Sequence, residues 1–135
     1  MTDHPPAVLF LCIHNAGRSQ MALGWFEHLA KGRAVAFAAG SEPADRLNPS
    51  AVAAMAEVGI DIAGNTPRRW TDGDLDTADV VVTMGCGDTC PYVPGTRYED
   101  WPLDDPAGRP LDEVCAIRDQ IRDRVAHLLD DLAPR

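Results

Sequence analysis

An apolar run, Ala7-Val-Leu-Phe-Leu11, that empties into Cys12-Ile-His-Asn-Ala-Gly-Arg18-Ser19 constrains this chain more than any other feature. Residues 7–13 read as a buried central strand, and Ser19 to about Lys31 reads as a helix with Met21, Ala22, Trp25, Phe26 and Leu29 on its buried side. A buried strand that passes through a short loop into a helix aims several backbone N–H groups at one point. Such a point binds a tetrahedral oxyanion, because orphan amides and the helix dipole both favour negative charge there. Arg18 adds a planar, two-pronged donor. The same positive field favours the thiolate of Cys12, a nucleophile at neutral pH, and Ser19 is placed to donate a hydrogen bond to its sulfur. His14, Asn15, Ala16, Gly17, Arg18 and Ser19 are therefore the candidate oxyanion binders. His14 offers its backbone N–H or a neutral imidazole, with the ring pointing outward. Asn15 suits a positive φ and can tie the loop through its side chain. Taken alone, Cys-x5-Arg arises by chance, and a cysteine at a strand end is ordinarily a small core residue. The strand before it, the helix after it and the adjacent serine sharpen the signal. The G-x-x-x-x-G-K-[ST] pattern is absent, so this is not a nucleotide P-loop.

Strand and helix patterns alternate along the rest of the chain. Val35–Ala39 and Asp79–Thr83 read as strands, and Arg97–Trp101 as a short fourth one. Asn48-Pro49 is a cap followed by proline at the first helical position, opening a helix that Gly59 stops. Thr71–Thr77 reads as a short helix. From Leu111 to Leu132, the residues Val114, Ile117, Ile121, Val125, Leu128 and Leu132 form one apolar stripe. Arg118, Asp119, Arg122, Asp123, Asp130 and Asp131 read as the solvated face opposite. This order predicts one α/β domain over residues 1–135, a three-layer α/β/α sandwich on a four-stranded parallel sheet, with ligands at the carboxyl ends of the strands. Cys12, Ser41, Met84 and the Trp101–Asp105 region all follow strands and can converge on one edge.

Composition excludes several classes. A chain of 135 residues that is 45% hydrophobic has room for a single core. A net charge of −9 argues against nucleic acid or an anionic membrane as a partner. No stretch approaches the ~20 apolar residues of a membrane span. Met1–Pro6 does not read as an export signal, and four cysteines without one suggest reduced thiols in the cytoplasm. No cofactor or metal is called for, and the size and acidity are consistent with a monomer.

Displacement at an oxyanion centre needs a proton for the leaving oxygen. Asp104-Asp105-Pro106 is a candidate source, since Trp101, Pro102 and Leu103 can desolvate a carboxyl and keep it protonated. An ordinary Asx turn is the alternative. Cys86 and Cys90, in Met84-Gly-Cys-Gly-Asp-Thr-Cys-Pro91, also admit two readings. One is a metal site or structural pair, although no second pair or well-placed histidine completes four ligands. The other is a redox relay, in which Cys86 attacks an adduct on Cys12 and Cys90 resolves the disulfide. Gly85, Gly87 and Pro91 favour the relay, because the segment must rearrange to link the two sulfurs. Cys115 lies beside the apolar stripe and reads as a half-buried thiol. His4, His28 and His127 read as surface residues.

Together the Cys12-x-x-Asn15-x-x-Arg18-Ser19 loop, Arg18-Ser-Gln-Met-Ala22, Asn48-Pro49, Asp105-Pro106, and Cys86 with Cys90-Pro91 resemble arsenate reductases of the thioredoxin-coupled type. These share the low-molecular-weight protein tyrosine phosphatase fold. The resemblance runs from about Ala7 to Leu132. It implies that Cys12 attacks arsenate, that Asp105 protonates the leaving oxygen and that Cys86 attacks the adduct and releases arsenite. Cys90 would then move the disulfide outward to Cys86–Cys90 for thioredoxin to reduce. Phosphate and sulfate would compete as oxyanions. Three departures bear on this. The cysteine pair is separated by three residues where better-known members have a longer interval, which leaves room for a small thiol such as mycothiol or bacillithiol to attack the adduct instead. Some relatives hold a monovalent cation with acidic side chains where this chain has Leu23 and Arg68, so no such site is expected. Phosphatases of this fold place aromatic residues after the Asp-Pro, where this chain has Ala107-Gly108-Arg109. The rival readings are a low-molecular-weight phosphatase using Cys12, Arg18 and Asp105, an arsenate–small-thiol transferase, and a non-catalytic metalloid sensor using Cys12, Cys86 and Cys90.

Overall fold

The computed structural model describes residues 5–85 and 94–133. Within them, β1 (Ala7–Cys12) lies at the interior of a sheet whose order is β2-β1-β3-β4 and whose strands all run parallel. All six residues of β1 are buried, as a strand covered on both faces requires. β2 (Val35–Gly40) pairs Gly40 with Cys12, and β3 (Val80–Thr83) pairs Thr83 with Leu11. β4 (Arg97–Asp100) takes the outer position beside β3, and its polar side chains suit an edge. Parallel pairing brings the carboxyl ends of all four strands to one side, so the segments after Cys12, Gly40, Thr83 and Asp100 meet there.

Four helices among the described residues supply the covering layers, α1 (Arg18–Ala30), α2 (Pro49–Glu57), α3 (Asp72–Thr77) and α4 (Leu111–Leu132). Alternate residues of β1 face opposite layers. Val8, Phe10 and Cys12 join Val80, Val82 and the apolar sides of α1, α2 and α4. Leu9 and Leu11 join Ala39, Val81 and α3 residue Leu75 on the other side. Phe10 anchors the larger layer, with its ring 5.8 Å from that of Phe26 and 5.7 Å from that of Trp101. Truncating so enclosed a ring to alanine costs about 3–5 kcal/mol.

Local chemistry sets the element ends where the sequence pattern places them. Asn48 caps α2 through a 2.9 Å bond from Ser50 N–H, with Pro49 next. Thr71 and Asp74 form a reciprocal capping box on α3. Lys31 (φ 50°) ends α1 in the left-handed region, one residue before Gly32. One expectation needs correction. The sequence pattern places Arg118 on the solvated face of α4, yet it is only 8% exposed. Its Nη1 donates to the carbonyl of Ala54 near the C-terminal end of α2 (2.9 Å), Nε donates to Asp119 (2.8 Å), and its own carbonyl accepts from Trp25 Nε1 (3.2 Å). An arginine at the margin of an apolar stripe can lay its stem along a neighbouring helix and satisfy that helix's free carbonyls. None of the described helices is long and apolar enough to cross a membrane.

Candidate active site

The loop after β1 is held by its carbonyls. Cys12, Ile13, His14 and Ala16 accept bonds from the N–H groups of Ser41, Glu42, Ala44 and Asn48, all on the segment that follows β2. Gly17 accepts from Met21 N–H inside α1, and the Asn15 carbonyl accepts from Gln20 Nε2 at 3.2 Å. Every main-chain carbonyl from residue 12 to 17 is therefore drawn outward. Because a trans peptide is planar, an outward carbonyl turns the next N–H inward, and the loop presents its amides to its own hollow. Asn15 shows this directly, its N–H donating to Cys12 Sγ at 3.2 Å. Gly40 is what permits the closeness of β2, since a Cβ there would lie 2.5 Å from the Ile13 carbonyl oxygen and 3.0 Å from the Asn15 nitrogen.

Behind the sulfur lies a buried relay of side chains. Ser19 Oγ is 2.8 Å from Cys12 Sγ, and Asn15 Nδ2 donates to Ser19 Oγ at 2.7 Å. Asn15 Oδ1 accepts from the Arg68 backbone N–H at 3.0 Å and from Gln20 Nε2 at 3.1 Å. A backbone N–H can only donate, so it fixes which end of the Asn15 amide faces Ser19. With a lone pair of Ser19 engaged, its proton is directed to the sulfur, where it stabilises a thiolate. Asn15 has φ 51°, as a residue folded back on its own loop requires. Asn15 and Ser19 are both wholly buried.

Arg18 opens α1 with its guanidinium 7% exposed, Nη1 donating to the Leu103 carbonyl at 3.0 Å and Nη2 lying 3.9 Å from Asp105 Oδ2. It passes over Gly85 (φ 88°), where any Cβ would overlap the guanidinium. Gly85 thus has a packing reason besides the freedom of movement read from the sequence. Cys12, His14, Ala16, Gly17, Arg18, Asn48, Asp105, Pro106 and Ala107 line a cleft of about 50 Å³. That holds a tetrahedral oxyanion and little more.

Of the residues singled out in the sequence, Cys12, His14, Ala16, Gly17, Arg18 and Asp105 border this cleft, while Asn15 and Ser19 stand behind it. The ring of His14 points away, its Nδ1 3.1 Å from the Glu42 carbonyl. Cys86 and Cys90 lie outside the described residues. Asp105, not Asp104, lines the cleft, but its desolvation by apolar neighbours does not hold. The side chain is 51% exposed, because Trp101 and Leu103 turn into the core and Pro102 turns to solvent. The Asx-turn reading is also present in the structure, with Asp105 Oδ1 accepting from Ala107 N–H at 3.0 Å. Two contributors behind the loop escaped the sequence reading, one of them buried. Gln20 is 2% exposed and grips Asn15, and Arg68 both donates its N–H to Asn15 and pairs with Asp74 at 2.9 and 3.0 Å. An uncharged polar residue next to Met21 on a buried helix face was the available signal for Gln20. Burial pushes the Asp74 carboxyl up, but Arg68 and the Thr71 amide and hydroxyl outweigh it and bring it below its ordinary value. Cys115 is half-buried, as expected, and burial pushes its thiol up.

A family model described as low molecular weight phosphotyrosine protein phosphatase matches residues 7–135. A glutaredoxin arsenate reductase of Synechocystis is 39% identical over 125 residues, covering 90% of this chain and 95% of that protein. Arsenate reductase 2 of Staphylococcus haemolyticus is 40% identical over 119 residues, covering 85% of this chain and 89% of that one. Among solved structures, a Corynebacterium glutamicum thioredoxin-dependent arsenate reductase superposes with a TM-score of 0.85 at 36% identity, covering 98% of this chain and 64% of that one.

Proposed function

The chain belongs to the low molecular weight phosphotyrosine protein phosphatase family, and from that premise we propose that it is an arsenate reductase, with Cys12 as nucleophile and thioredoxin as its electron donor. The observation that carries the chemistry is the thiol of Cys12 at the floor of an amide-lined cleft, 2.8 Å from Ser19 Oγ, with Arg18 and Asp105 at the rim. Reduction is favoured over phosphomonoester hydrolysis by the relatives of this length, by Ala107 where an aryl ester needs an aromatic wall, and by the presence of Cys86 and Cys90 in the sequence.

The loop amides and Arg18 bind arsenate and neutralise charge that grows on its oxygens during attack. Cys12 Sγ forms a bond to arsenic, and one oxygen leaves as water after taking a proton from Asp105. Cys86 thiolate then attacks Cys12 Sγ. The sulfur–arsenic bond breaks, its electron pair goes to arsenic, As(V) becomes As(III), and arsenite departs from a Cys12–Cys86 disulfide. Cys90 attacks Cys86, frees Cys12, and leaves a Cys86–Cys90 disulfide that the donor dithiol reduces.

The experiment is arsenate-dependent NADPH oxidation with thioredoxin and thioredoxin reductase, run beside p-nitrophenyl phosphate hydrolysis. Wild type turns over arsenate, while Cys86→Ser and Cys90→Ser lose reduction and keep hydrolysis. Reduction that survives in both variants when mycothiol, bacillithiol or glutathione with glutaredoxin is supplied makes the pair dispensable and the enzyme a thiol transferase. Hydrolysis without arsenate reduction under any donor leaves a phosphatase.

A further inference from the structure

Gln20 stands out among the buried polar groups because the reaction above makes no use of it. Its side chain is 2% exposed at the start of α1, and its carboxamide is engaged at both ends. Nε2 donates to the Asn15 carbonyl (3.2 Å) and to Asn15 Oδ1 (3.1 Å), while Oε1 accepts from Asn65 Nδ2 (3.1 Å). Asn65 is exposed, on the segment between α2 and α3, and borders two open cavities. A single line of hydrogen bonds thus runs from a surface amide through Gln20, Asn15 and Ser19 to the sulfur of Cys12.

We propose that Gln20 is a positioning residue for the nucleophile and that Asn65 sets its orientation from the surface. Gln20 supplies a second donor to Asn15 Oδ1 and the donor to the Asn15 carbonyl, so it holds that residue in its left-handed conformation with Nδ2 aimed at Ser19. A carboxamide has one accepting end and one donating end, and here the two must face opposite neighbours. The polarity of the line is decided at Asn65. A donor there keeps Gln20 Nε2 on Asn15. An acceptor there turns the amide round, sets Oε1 against two oxygens of Asn15, and loosens the hydrogen bond from Ser19 to the sulfur.

The proposal rests on Cys12 being the nucleophile, so its test reads Cys12 directly and does not depend on arsenate turnover. The readout is the rate of Cys12 alkylation by iodoacetamide between pH 5 and 9, followed on the Cys12 peptide by mass spectrometry. Thermal unfolding of each variant accompanies it. Asn65→Ala removes the donor without offering an acceptor, leaves Gln20 Nε2 on Asn15, and slows alkylation less than about twofold. Asn65→Asp offers only acceptors, and alkylation at pH 7 slows about threefold to tenfold, the worth of one buried hydrogen bond. Thr66→Asp puts the same charge at the adjacent exposed position, which makes no hydrogen bond to Gln20, and leaves the rate unchanged. Gln20→Met, which keeps the bulk and removes the amide, slows alkylation at least as much as Asn65→Asp. Equal rates in Asn65→Asp and Asn65→Ala overturn the proposal, whatever Gln20→Met does. So does a Thr66→Asp effect as large as that of Asn65→Asp, since charge alone would then suffice. A wild-type Cys12 no more reactive than Cys115 fails the nucleophile reading instead.

Discussion

Between Cys12 and Gly17 every main-chain carbonyl has a donor, and Asn15 and Ser19 are sealed from solvent. Across the same cleft, Asp104, Asp105 and Ala107 are exposed, and the turn is held by Ala107 N–H on Asp105 Oδ1 and Arg109 Nε on the Asp105 carbonyl. The Cys12 side is built in advance, at the junction of a buried strand and a helix. The Asp105 side rests on the surface, with a carboxylate 3.9 Å from Arg18. A group that must bind charge on arrival gains from fixed dipoles. A group that must give up a proton and recover it gains from contact with water.

Changes on the two sides should differ in kind as well as size. Arg18→Lys keeps the charge but loses the fork that reaches Leu103 and the cleft together. It should cut arsenate reduction and p-nitrophenyl phosphate hydrolysis by about 100-fold to 1,000-fold, measured as kcat/KM. Asp105→Asn retains an acceptor for the Ala107 N–H, so the turn survives and only the proton is lost. Hydrolysis should fall about 100-fold with little change in the unfolding midpoint. Gly40→Ala attacks the preformed side from behind, pressing a methyl on the Ile13 carbonyl and the Asn15 amide. It should destabilise by about 1–3 kcal/mol and lower kcat about 10-fold, visible in thermal unfolding and in single-turnover rates. Equal stability losses in Asp105→Asn and Gly40→Ala would erase the contrast between the two sides.

The smallest effect belongs to Asp74, which braces Arg68 behind the loop. Its folded-state carboxyl titrates below the ordinary value, so the unfolded chain takes up the proton first as pH falls. The stabilisation is complete above the ordinary carboxylate value of about 4 and fades as pH drops through and below it. Arg68 is 41% exposed, and solvent screening keeps the pair's contribution to about 0.5 kcal/mol. Asp74→Asn should therefore lower the unfolding midpoint slightly at pH 7 and match wild type near pH 2.

Much of this molecule was legible along the chain, because the signals concerned are local. Six consecutive apolar residues mark β1 as central, Asn48-Pro49 opens α2, and the alternation of elements implies a parallel sheet with its ligands at one end. Cys12, Arg18 and Ser19 lie within eight residues of one another, on a turn whose geometry follows from a strand meeting a helix. What the chain order did not display depends on residues far apart in sequence. Gly40 presses on Ile13 across a strand pair, Arg68 reaches Asn15 over 53 positions, and Arg118 leaves its expected solvated face for the end of α2. Exposure of Asp105 is of the same kind, since Trp101 and Leu103 could cover it only if the core did not claim them first. Periodicity and capping are properties of neighbours in the chain, so sequence alone determined the elements and the loop from Cys12 to Ser19. Which polar groups are buried, and which partner each one meets, depends on how those elements pack, and only the tertiary structure could decide it.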